Sequence, residues 1–484
     1  MAFWSRKSVE QLTADCNDAE GKPRLHRSLG VVDLTAFGIG NTVGAGIFVL
    51  TGSVAALHAG PGVTLSFIIA SIACFLAGLC YAEFAAMVPV AGSAYSYAYT
   101  SIGEGLAWLM GWCLMFEYIF SASLVAIGWS GYLVSALADL GIHWPAALAT
   151  APINGTTLSD IHGTGTWFNL PAVLVICACT VLLLFSARQS SIVNAVIVAS
   201  KLVAIGILVF IGAHYVDPAN WHPFIPPNTG TSGEFGWSGI MMGAGIVFFS
   251  YIGFDGVSTL AEETRNPQRT MPLSLFLSLG ICALLYVGVS MTITGMTSYT
   301  NLNVPDPLYK ALQMANASLP SLKALVAVVA IIGMLSVILL SLLGQIRIFY
   351  AMGRDGLLPQ VLSRTSRRFR TPYIGTLVTG FFAALTAALV PLDLLSDLIS
   401  SGTLLVFALV CVCIPILRRT NPQAHRPFRT PWVPVIPILG AVSCVGLMFS
   451  LSGDTWIRLA IWLVLGVLVY LAYGRRHSRL RNSA

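Results

Sequence analysis

Two apolar segments of this chain are interrupted by glycine and polar residues, and these interruptions are its most informative chemical feature. The first covers residues 38–48 and contains four glycines, including Gly44 and Gly46. The second covers residues 249–256 and contains Gly253. In lipid, backbone groups freed from a helix find no water, so irregular backbone survives there only where it lines a cavity. Two such breaks in matching positions of two halves predict the substrate site of a transporter.

The two breaks offer complementary backbone groups. A half-helix that begins at Gly44–Gly46 presents unpaired N–H groups and the positive end of its dipole, which favour a carboxylate. Half-helices that end near Thr42 or within residues 249–252 present unpaired C=O groups, which favour an ammonium. The pair therefore suits a zwitterionic α-amino acid, and leaves its side chain to a separate pocket.

The glycines of the first break have two other interpretations. The spacing Gly38-x-Gly40-x-x-x-Gly44 is similar to a nucleotide-binding fingerprint, but no strand is predicted before it and no acidic residue follows at ribose distance. Close helix packing by small residues explains Gly38 and Gly40 as well as binding does. For Gly44 and Gly46 we prefer the binding interpretation, because the sixth apolar segment has a matching break.

Lys201 lies at the middle of the fifth apolar segment, about ten residues or roughly 15 Å from either end. Its side chain can hardly reach the membrane surface from there, and an unsatisfied ammonium at the bilayer centre costs at least about 2.5 kcal/mol. A buried lysine can also exchange its proton near neutral pH. We predict that Lys201 couples transport to protons and bridges the fifth and first segments near Gly40 and Asn41. The alternative is a fixed structural cation bonded to carbonyl groups.

Glu117 lies at about mid-depth in the third apolar segment and is expected to face the cavity. It could receive a cationic side chain of the substrate, or it could hold a water molecule or a neighbouring backbone group. Its presence alone therefore does not establish the charge of the substrate.

A group of charged residues follows the second break towards the cytoplasm, and we expect it to form an inner gate or loop clamp. The group consists of Asp255, Glu262, Glu263 and Arg265, together with Arg354 and Asp355. A solvated helix end explains Glu262 and Glu263 equally well.

The composition indicates the class of protein that positions these residues. The chain has 484 residues, of which 56% are hydrophobic and 10% charged, and its mean hydropathy is +0.80. Soluble globular proteins typically carry about 25% charged residues. We therefore expect an all-α polytopic membrane protein. The ten cysteines lie mostly in apolar segments, so neither a disulfide framework nor a metal site is expected, and no cofactor is implied.

Twelve segments have the length and composition of membrane spans, which need about 20 mostly apolar residues each. No signal peptide is expected in the polar residues 1–28. The predicted spans are roughly 31–57, 63–88, 106–140, 168–185, 192–213, 239–260, 273–296, 324–352, 374–390, 394–417, 435–451 and 457–473.

The distribution of basic residues predicts the orientation. Most of the 26 lysines and arginines fall in cytoplasmic stretches if the N-terminus lies inside, above all between Arg364 and Arg370 and between Arg475 and Arg481. By the positive-inside rule, the N-terminal tail, 1–28, and the C-terminal tail, 475–484, are both expected to be cytoplasmic in a cell membrane. Topology explains the net charge of +6, so no nucleic-acid partner is expected.

The order of the spans suggests an internal repeat. Gly44 and Gly253 each belong to the first span of a block of five, within residues 29–217 and 218–420. Because five is odd, the second block enters the membrane from the opposite side, which makes the repeat inverted and lets broken helices one and six face each other. Spans eleven and twelve, within 421–474, fall outside the repeat and are expected to serve packing or oligomerisation.

Four motifs extend across spans one to nine. They are Gly38-Ile39-Gly40 through Phe48, Glu117-Tyr118 with Gly128-Trp129-Ser130-Gly131-Tyr132, Phe254-Asp255 through Gln268, and Arg354-Asp355-Gly356-Leu357-Leu358-Pro359. Together they resemble the amino acid–polyamine–organocation (APC) superfamily, and within it the cationic amino acid transporter family. The resemblance implies a leucine-transporter-like fold that moves amino acids by alternating access.

The resemblance also implies roles for individual residues. The residues implied to bind the substrate are Thr42, Phe249, Ser250 and Ile252 through their carbonyls, and Gly44, Ala45 and Gly46 through their amides. Phe249 would also close over the substrate. Many relatives have a hydroxyl residue where Ala45 stands, so carboxylate binding here would depend on backbone amides alone. In proton-coupled relatives, a lysine placed like Lys201 resembles a replacement for a sodium ion.

We therefore expect a secondary active amino acid transporter, with protons as the coupling ion. The alternative is an amino acid exchanger or uniporter in which Lys201 is purely structural; a channel or a receptor would be a different class. An enzyme is not expected, because no nucleophile–base set, metal-ligand cluster or phosphate loop is apparent. The sequence does not reveal which amino acid is carried, although Met334 and Ser336 are expected to contribute to the specificity for its side chain.

Overall fold

A computed structural model describes residues 29–88, 93–155, 162–185, 191–315, 320–366 and 371–479. The predicted N-terminal tail, the arginines at 367, 368 and 370, and the last residues of the C-terminal tail, 480–484, lie outside the described residues. The described part of the chain is mostly helical, and its only sheet is one short hairpin.

The first half of the chain begins with a helix that is soon interrupted. Its α-helices are α1 (Val31–Thr42), α2 (Thr51–Val54), α3 (Val63–Met87), α4 (Ser93–Ser101), α5 (Glu104–Asp139), α6 (Leu170–Phe185) and α7 (Ser191–Gly212). Two π-helical turns, Gly46–Leu50 and Ala55–Ala59, flank α2. The hairpin strands β1 (Ile153–Asn154) and β2 (His162–Gly163) pair antiparallel between α5 and α6.

The second half contains a second interrupted helix. Its α-helices are α8 (Gly236–Val247), α9 (Pro267–Met296), α10 (Pro307–Met314), α11 (Pro320–Arg354), α12 (Tyr373–Leu389), α13 (Leu392–Thr420), α14 (Val435–Ser450), α15 (Gly453–Val469) and α16 (Arg475–His477). Two 3₁₀ segments, Phe248–Tyr251 and Asp255–Glu263, follow α8. A π-helical turn, Tyr470–Gly474, joins α15 to α16.

Local sequence explains where several of these helices begin. Proline occupies the first position of α9 and of α10, where its missing N–H would have no intrahelical partner. Ser452 caps α15, because its hydroxyl accepts a hydrogen bond from the backbone N–H of Thr455 at 3.4 Å.

Eight helical segments in the described part of the chain are long and apolar enough to cross a membrane. They are Gly46–Met87, Glu104–Asp139, Val193–Tyr215, Gly236–Ala261, Pro267–Met296, Ser321–Arg354, Leu392–Thr420 and Gly453–His477. Three shorter apolar helices, α6, α12 and α14, have 16 or 17 residues each. The chain is therefore an integral membrane protein of the helical type.

Each of the twelve predicted ranges contains a helix, but the first does not reach spanning length by itself. The helix α1 has only 12 residues, because it ends at the first break. The part after the break continues through the turn at Gly60–Gly62 into α3. The structure also contains two short helices that were not predicted, α4 and α10. They have nine and eight residues, too few to give the apolar run that identifies a span.

Candidate substrate and coupling site

The first break is real and lies where the glycines predict it. The helix α1 ends at Thr42, and Val43 has an extended conformation with φ −77° and ψ 90°. Helical backbone resumes at Gly46, and the carbonyl of Gly44 accepts hydrogen bonds from the N–H groups of Ile47 and Phe48, both at 3.2 Å. The amides of Gly44, Ala45 and Gly46 thus lie at the start of a helical segment, where N–H groups lack intrahelical partners.

The second break lies between α8 and the segment Asp255–Glu263. The 3₁₀ turn Phe248–Tyr251 ends at Ile252, which is extended with φ −62° and ψ 138°. Gly253 follows with φ +117°, a conformation that residues with a side chain rarely adopt. Neither Val43 nor Tyr251 therefore lies in a continuous α-helix, as the binding hypothesis requires.

The two breaks contact each other directly. The Asn41 side-chain amide donates to the Gly253 carbonyl at 3.0 Å. A Cβ atom added at Gly46 would lie 2.5 Å from Cα of Ser250, and one added at Gly253 would lie 2.9 Å from the Asn41 carbonyl carbon. These glycines are needed because two backbones approach each other closely at this point.

Gly38 and Gly40, for which the sequence allowed either packing or binding, have a packing role. A Cβ at Gly38 would lie 2.4 Å from Oγ of Ser278, and a Cβ at Gly40 would lie 2.8 Å from Cγ2 of Val198. These glycines let α1 pack closely against α9 and α7. The carbonyl of Gly40 has a further role, described below.

A tyrosine that the sequence analysis missed joins the two breaks. The Tyr286 hydroxyl, on α9, lies 3.0 Å from the carbonyl oxygen of Thr42 and 2.6 Å from that of Ser250. A phenol has one proton, so it can fully satisfy only one of these acceptors at a time. Two of the carbonyls expected to bind an ammonium therefore converge on a single donor. The available signal was a tyrosine in an apolar run, Leu284-Leu285-Tyr286-Val287.

The other two carbonyls expected to accept from an ammonium belong to Phe249, in the 3₁₀ turn, and to Ile252, directly after it. The carbonyl of Phe249 accepts a hydrogen bond from the N–H of Ile252 at 3.0 Å, within the turn. The Phe249 side chain is buried, with 5% of its surface exposed, which is compatible with its expected closing position.

Lys201 is fully buried and all three of its protons have acceptors. Its ammonium donates to the carbonyls of Gly40 and Val43, both at 3.0 Å, and to the Ser336 hydroxyl at 3.1 Å. A Cβ at Gly333 would lie 2.7 Å from Cε of Lys201, so this glycine makes room for the lysine stem. One side chain thus connects α7, the first break and α11.

The predicted position of Lys201 near Gly40 and Asn41 of the first helix is confirmed. Its ammonium binds the Gly40 carbonyl, while the side chain of the neighbouring Asn41 points to the second break. Ser336 was expected to help to select the substrate side chain; the structure places it on Lys201 instead, and it donates its own proton to the Gly333 carbonyl at 2.8 Å.

An apolar wall surrounds the start of the helical segment that follows the first break. A Cβ at Gly128 would lie 2.7 Å from Cγ2 of Val49, 3.5 Å from Sδ of Met334 and 3.7 Å from Cβ of Ala45. A Cβ at Gly44 would lie 3.1 Å from Cγ2 of Val337. None of these wall residues carries an ionisable group; Met334, which was expected to help to select the substrate, is one of them.

Glu117 is buried on α5. One of its carboxylate oxygens accepts a hydrogen bond from the Thr403 hydroxyl at 2.8 Å, while the other has no hydrogen-bond partner among the described residues. Asp255 is also buried; it accepts hydrogen bonds from the N–H of Gly253 at 3.2 Å and from the Tyr118 hydroxyl at 3.4 Å. The structure therefore places Glu117 against α13, while its neighbour Tyr118 contacts Asp255 at the second break.

The predicted inner gate divides into separate contacts. Glu263 forms an ion pair at 3.9 Å with Arg347, not with Arg265. The Arg265 side chain is exposed, and its backbone N–H donates to the Leu29 carbonyl at 2.9 Å. Asp355 accepts a hydrogen bond from the Tyr95 hydroxyl at 2.6 Å. Sequence reasoning could not pair Glu263 with Arg347, because the two residues lie on helices far apart in the chain.

A cavity of about 200 Å³ lies between α2 and α8. It is lined by residues of α2 and its flanking turn, of the loop before α8, of α8 itself and of the start of α13, among them Val54, His58, Glu234, Ile246 and Asp397. Ile246 directly precedes the second break, so the cavity approaches the breaks from the side opposite to the Glu263–Arg347 pair.

A helical membrane protein in which two broken helices meet beside a buried lysine has the architecture of a transporter. The profile of the amino acid permease family matches residues 29–470, and the chain belongs to this family of the APC superfamily. It is a membrane permease and not an enzyme.

Several relatives match over almost the whole chain. The methylthioribose transporter of Bacillus subtilis is 42% identical over 481 residues, which cover 99% of this chain and 100% of that protein. The branched-chain amino acid permease BcaP of the same organism is 42% identical over 482 residues, covering 99% of each chain. The vacuolar cationic amino acid transporter 4 of Arabidopsis thaliana is 31% identical, covering 99% of this chain and 96% of that protein.

Proposed function

We propose that this protein carries α-amino acids across a cell membrane by alternating access. The observation that carries the proposal is the convergence of the Thr42 and Ser250 carbonyls, one from each break, on the single proton of Tyr286. An ammonium has the charge and the protons to satisfy both carbonyls, whereas the free helix start at Gly44–Gly46 suits a carboxylate. An α-amino acid carries both groups on one carbon atom.

The proposed architecture is the twelve-span arrangement expected from the sequence. In it, residues 29–217 and 218–420 form an inverted 5+5 repeat, residues 421–474 add two spans, and both termini are cytoplasmic. The positions of the two breaks and the family membership support this arrangement.

Protons are the proposed coupling ion, with Lys201 as the proton-carrying group. A protonated lysine uses three protons to hold Gly40, Val43 and Ser336. A neutral amine has only two protons, and it would turn a lone pair towards the third oxygen. Loss of the proton therefore weakens the link between α1 and its neighbours, which gives protonation a way to favour one conformation over another.

The apolar wall favours neutral aliphatic substrates over cationic ones. The wall formed by Val49, Met334 and Val337 offers no partner for a guanidinium or ammonium side chain, and burying such a charge unpaired is costly. The relatives named for branched-chain amino acids fit this wall. The relative named for methylthioribose raises a second candidate, a neutral thio-sugar that lacks both the ammonium and the carboxylate.

Counterflow in liposomes tests the proposal. Purified protein is reconstituted into vesicles preloaded with unlabelled leucine, and entry of external labelled leucine is followed. We expect a transient overshoot with leucine, isoleucine or valine inside, and none with arginine inside. A second set of vesicles, preloaded with unlabelled methylthioribose and given external labelled methylthioribose, is the control for the second candidate. An overshoot in this set with no leucine entry in the first would contradict the proposed substrate class, and equilibration of labelled leucine without any overshoot would indicate a channel.

Replacement of Tyr286 by phenylalanine tests whether the breaks must be held together. Without the phenol, the Thr42 and Ser250 carbonyls lose their shared donor and repel each other, so we expect the KM for leucine to rise about fivefold to tenfold, which corresponds to ~1 to 1.4 kcal/mol. The matched control is Tyr251→Phe: Tyr251 itself lies at the second break, but its hydroxyl donates to the Phe67 carbonyl at 3.0 Å and not to a carbonyl of either break. Equal KM values in the two variants would show that the Tyr286 hydroxyl has no special role.

A further inference from the structure

The C-terminal end of the described chain folds back onto a buried carboxylate. Glu104, the first residue of α5, is completely buried and accepts hydrogen bonds from three hydroxyl groups. Tyr470 donates to one carboxylate oxygen at 2.9 Å. Tyr99 donates to the other at 3.0 Å, and Ser478 makes a short hydrogen bond to that same oxygen. Two of the three hydroxyl donors thus come from the last ten described residues, 470–479.

The same segment makes close backbone contacts with the loop after α11. The N–H of Arg479 donates to the carbonyl of Asp355 at 3.1 Å. Gly356 has φ +79°, and a Cβ atom there would lie 2.2 Å from the carbonyl oxygen of His477. The tail therefore passes so close to this loop that only glycine fits at position 356. Asp355, which was expected to belong to the inner gate, and Gly356 thus form the docking surface for the tail.

The short helix α4 connects this docking surface to the second broken helix. On one side of α4, Tyr95 donates to Asp355 and Tyr99 donates to Glu104, the two anchors of the tail. Tyr97 lies two residues from each, so it points elsewhere on the helix; its ring stacks on Phe84 at 4.8 Å. The helix α4 also packs against the segment Asp255–Glu263. A displacement of α4 would therefore reach the inner half of that broken helix.

The inner ends of the two broken helices are joined in this conformation. Leu29 donates its N–H to the Glu263 carbonyl at 3.1 Å and accepts from the N–H of Arg265, so two short backbone segments pair in parallel beside the Glu263–Arg347 ion pair. The side of the protein that carries the tail is thus closed, and the tail contributes to the packing around it.

We propose that residues 470–479 act as a latch, which holds α4 in the closed position and must release Glu104 before the inner side opens. The tail supplies two of the three hydroxyl groups that satisfy this buried carboxylate. Undocking leaves the carboxylate without them, so the closed arrangement is favoured as long as the tail is bound. The proposal concerns opening of the inner side and does not depend on which substrate is carried.

A native cysteine reports on the position of α4. Cys413 is completely buried and lies on α13, the helix that packs against α4. If α4 moves away, this thiol becomes accessible to N-ethylmaleimide. Cys179, on α6, is also completely buried and lies on a helix that makes no part of the latch, so it reports on general unfolding.

The test measures alkylation of each cysteine by peptide mass spectrometry in reconstituted protein. The variants are Tyr470→Phe and Ser478→Ala, each of which removes one hydroxyl donor from Glu104. We expect alkylation of Cys413 to become about fivefold faster in each, the change in an opening equilibrium that ~1 kcal/mol produces. Cys179 is expected to react at the wild-type rate.

The matched control is Tyr473→Phe. Tyr473 lies on the same π-helical turn and stacks on His477 at 4.2 Å, a contact that phenylalanine preserves, and its hydroxyl is not among the groups bonded to Glu104. We expect this variant to behave like the wild type. The latch is refuted if Cys413 reacts at the wild-type rate in both Tyr470→Phe and Ser478→Ala, or if Cys413 and Cys179 accelerate together. Removal of residues 475–484 provides a second route, and it must accelerate Cys413 at least as much as either point variant.

Discussion

Replacement of Lys201 by methionine abolishes proton-driven accumulation of amino acids. Methionine keeps an unbranched stem of similar length but cannot bind a proton. In liposomes with an acidic exterior, wild-type protein is expected to accumulate leucine above the external concentration, whereas the Lys201→Met variant brings it only to equality. Because the imposed pH gradient is the only driving force, the loss of uphill transport measures the loss of coupling.

The same variant separates a coupling role from a structural one. If Lys201 only holds the helices together, its removal leaves the Gly40 and Val43 carbonyls without their donor, and it damages every mode of transport alike. If it couples, leucine counterflow, which needs no net proton movement, is retained while accumulation is lost. The structural interpretation is supported if counterflow and accumulation fall in parallel, or if wild-type accumulation does not respond to the gradient.

A surface lysine supplies the control. Lys323 lies at the outer end of α11 by the proposed topology and pairs with Asp139 at 2.8 Å. Unlike Lys201, Lys323 is partly exposed, and its partner Asp139 is half exposed. Ion pairs that are open to water contribute little to stability, so Lys323→Met is expected to leave both accumulation and counterflow at wild-type levels. A pH response that disappears in this variant too would mean that the effect is not specific to Lys201.

The predictions from sequence succeeded where the constraint is local. Glycine-rich interruptions in apolar runs identified both breaks, because unwound backbone exposes polar groups that lipid cannot hydrogen-bond. The mid-depth position of Lys201 implied buried acceptors, and Gly40 is one of them. Both inferences depend on the depth of a residue in its own helix, which the sequence fixes well.

What the sequence could not indicate depends on which helices become neighbours. Tyr286 lies 244 residues after Thr42, and the chemistry of a tyrosine does not say which carbonyl it will meet. Ser336 could equally have faced a substrate or a lysine until α7 and α11 were placed side by side. The pairing of Glu263 with Arg347 has the same origin. The positions of the two breaks were therefore predictable, whereas the partners that hold the breaks in position were not.

Replacement of Gly253 by alanine is expected to impair transport strongly, because it changes the conformation of the backbone at the second break. Its φ of +117° is strained for any residue with a side chain, at a cost of ~1–3 kcal/mol. The added Cβ would also lie 2.9 Å from the carbonyl carbon and oxygen of Asn41, backbone atoms that cannot rotate away. The two breaks must then separate, which disturbs the carbonyls of both. We expect leucine counterflow to fall at least about tenfold, since ~1.4 kcal/mol already gives that factor.

Alanine substitutions at two other glycines, Gly256 and Gly206, are expected to impair transport less than Gly253→Ala does. A Cβ at Gly256 would meet the Asn41 side-chain nitrogen at 2.8 Å, an atom that can move at the cost of its hydrogen bond to Gly253. A Cβ at Gly206, in α7, would meet nothing within 4 Å. Counterflow should therefore decrease in the order Gly206→Ala, Gly256→Ala, Gly253→Ala, with the first at the wild-type level. If Gly253→Ala transports as well as Gly206→Ala, close approach of the two unwound backbones is not what forms the site. Of the three substitutions, Gly253→Ala separates the two breaks most, and it would then have no effect on transport.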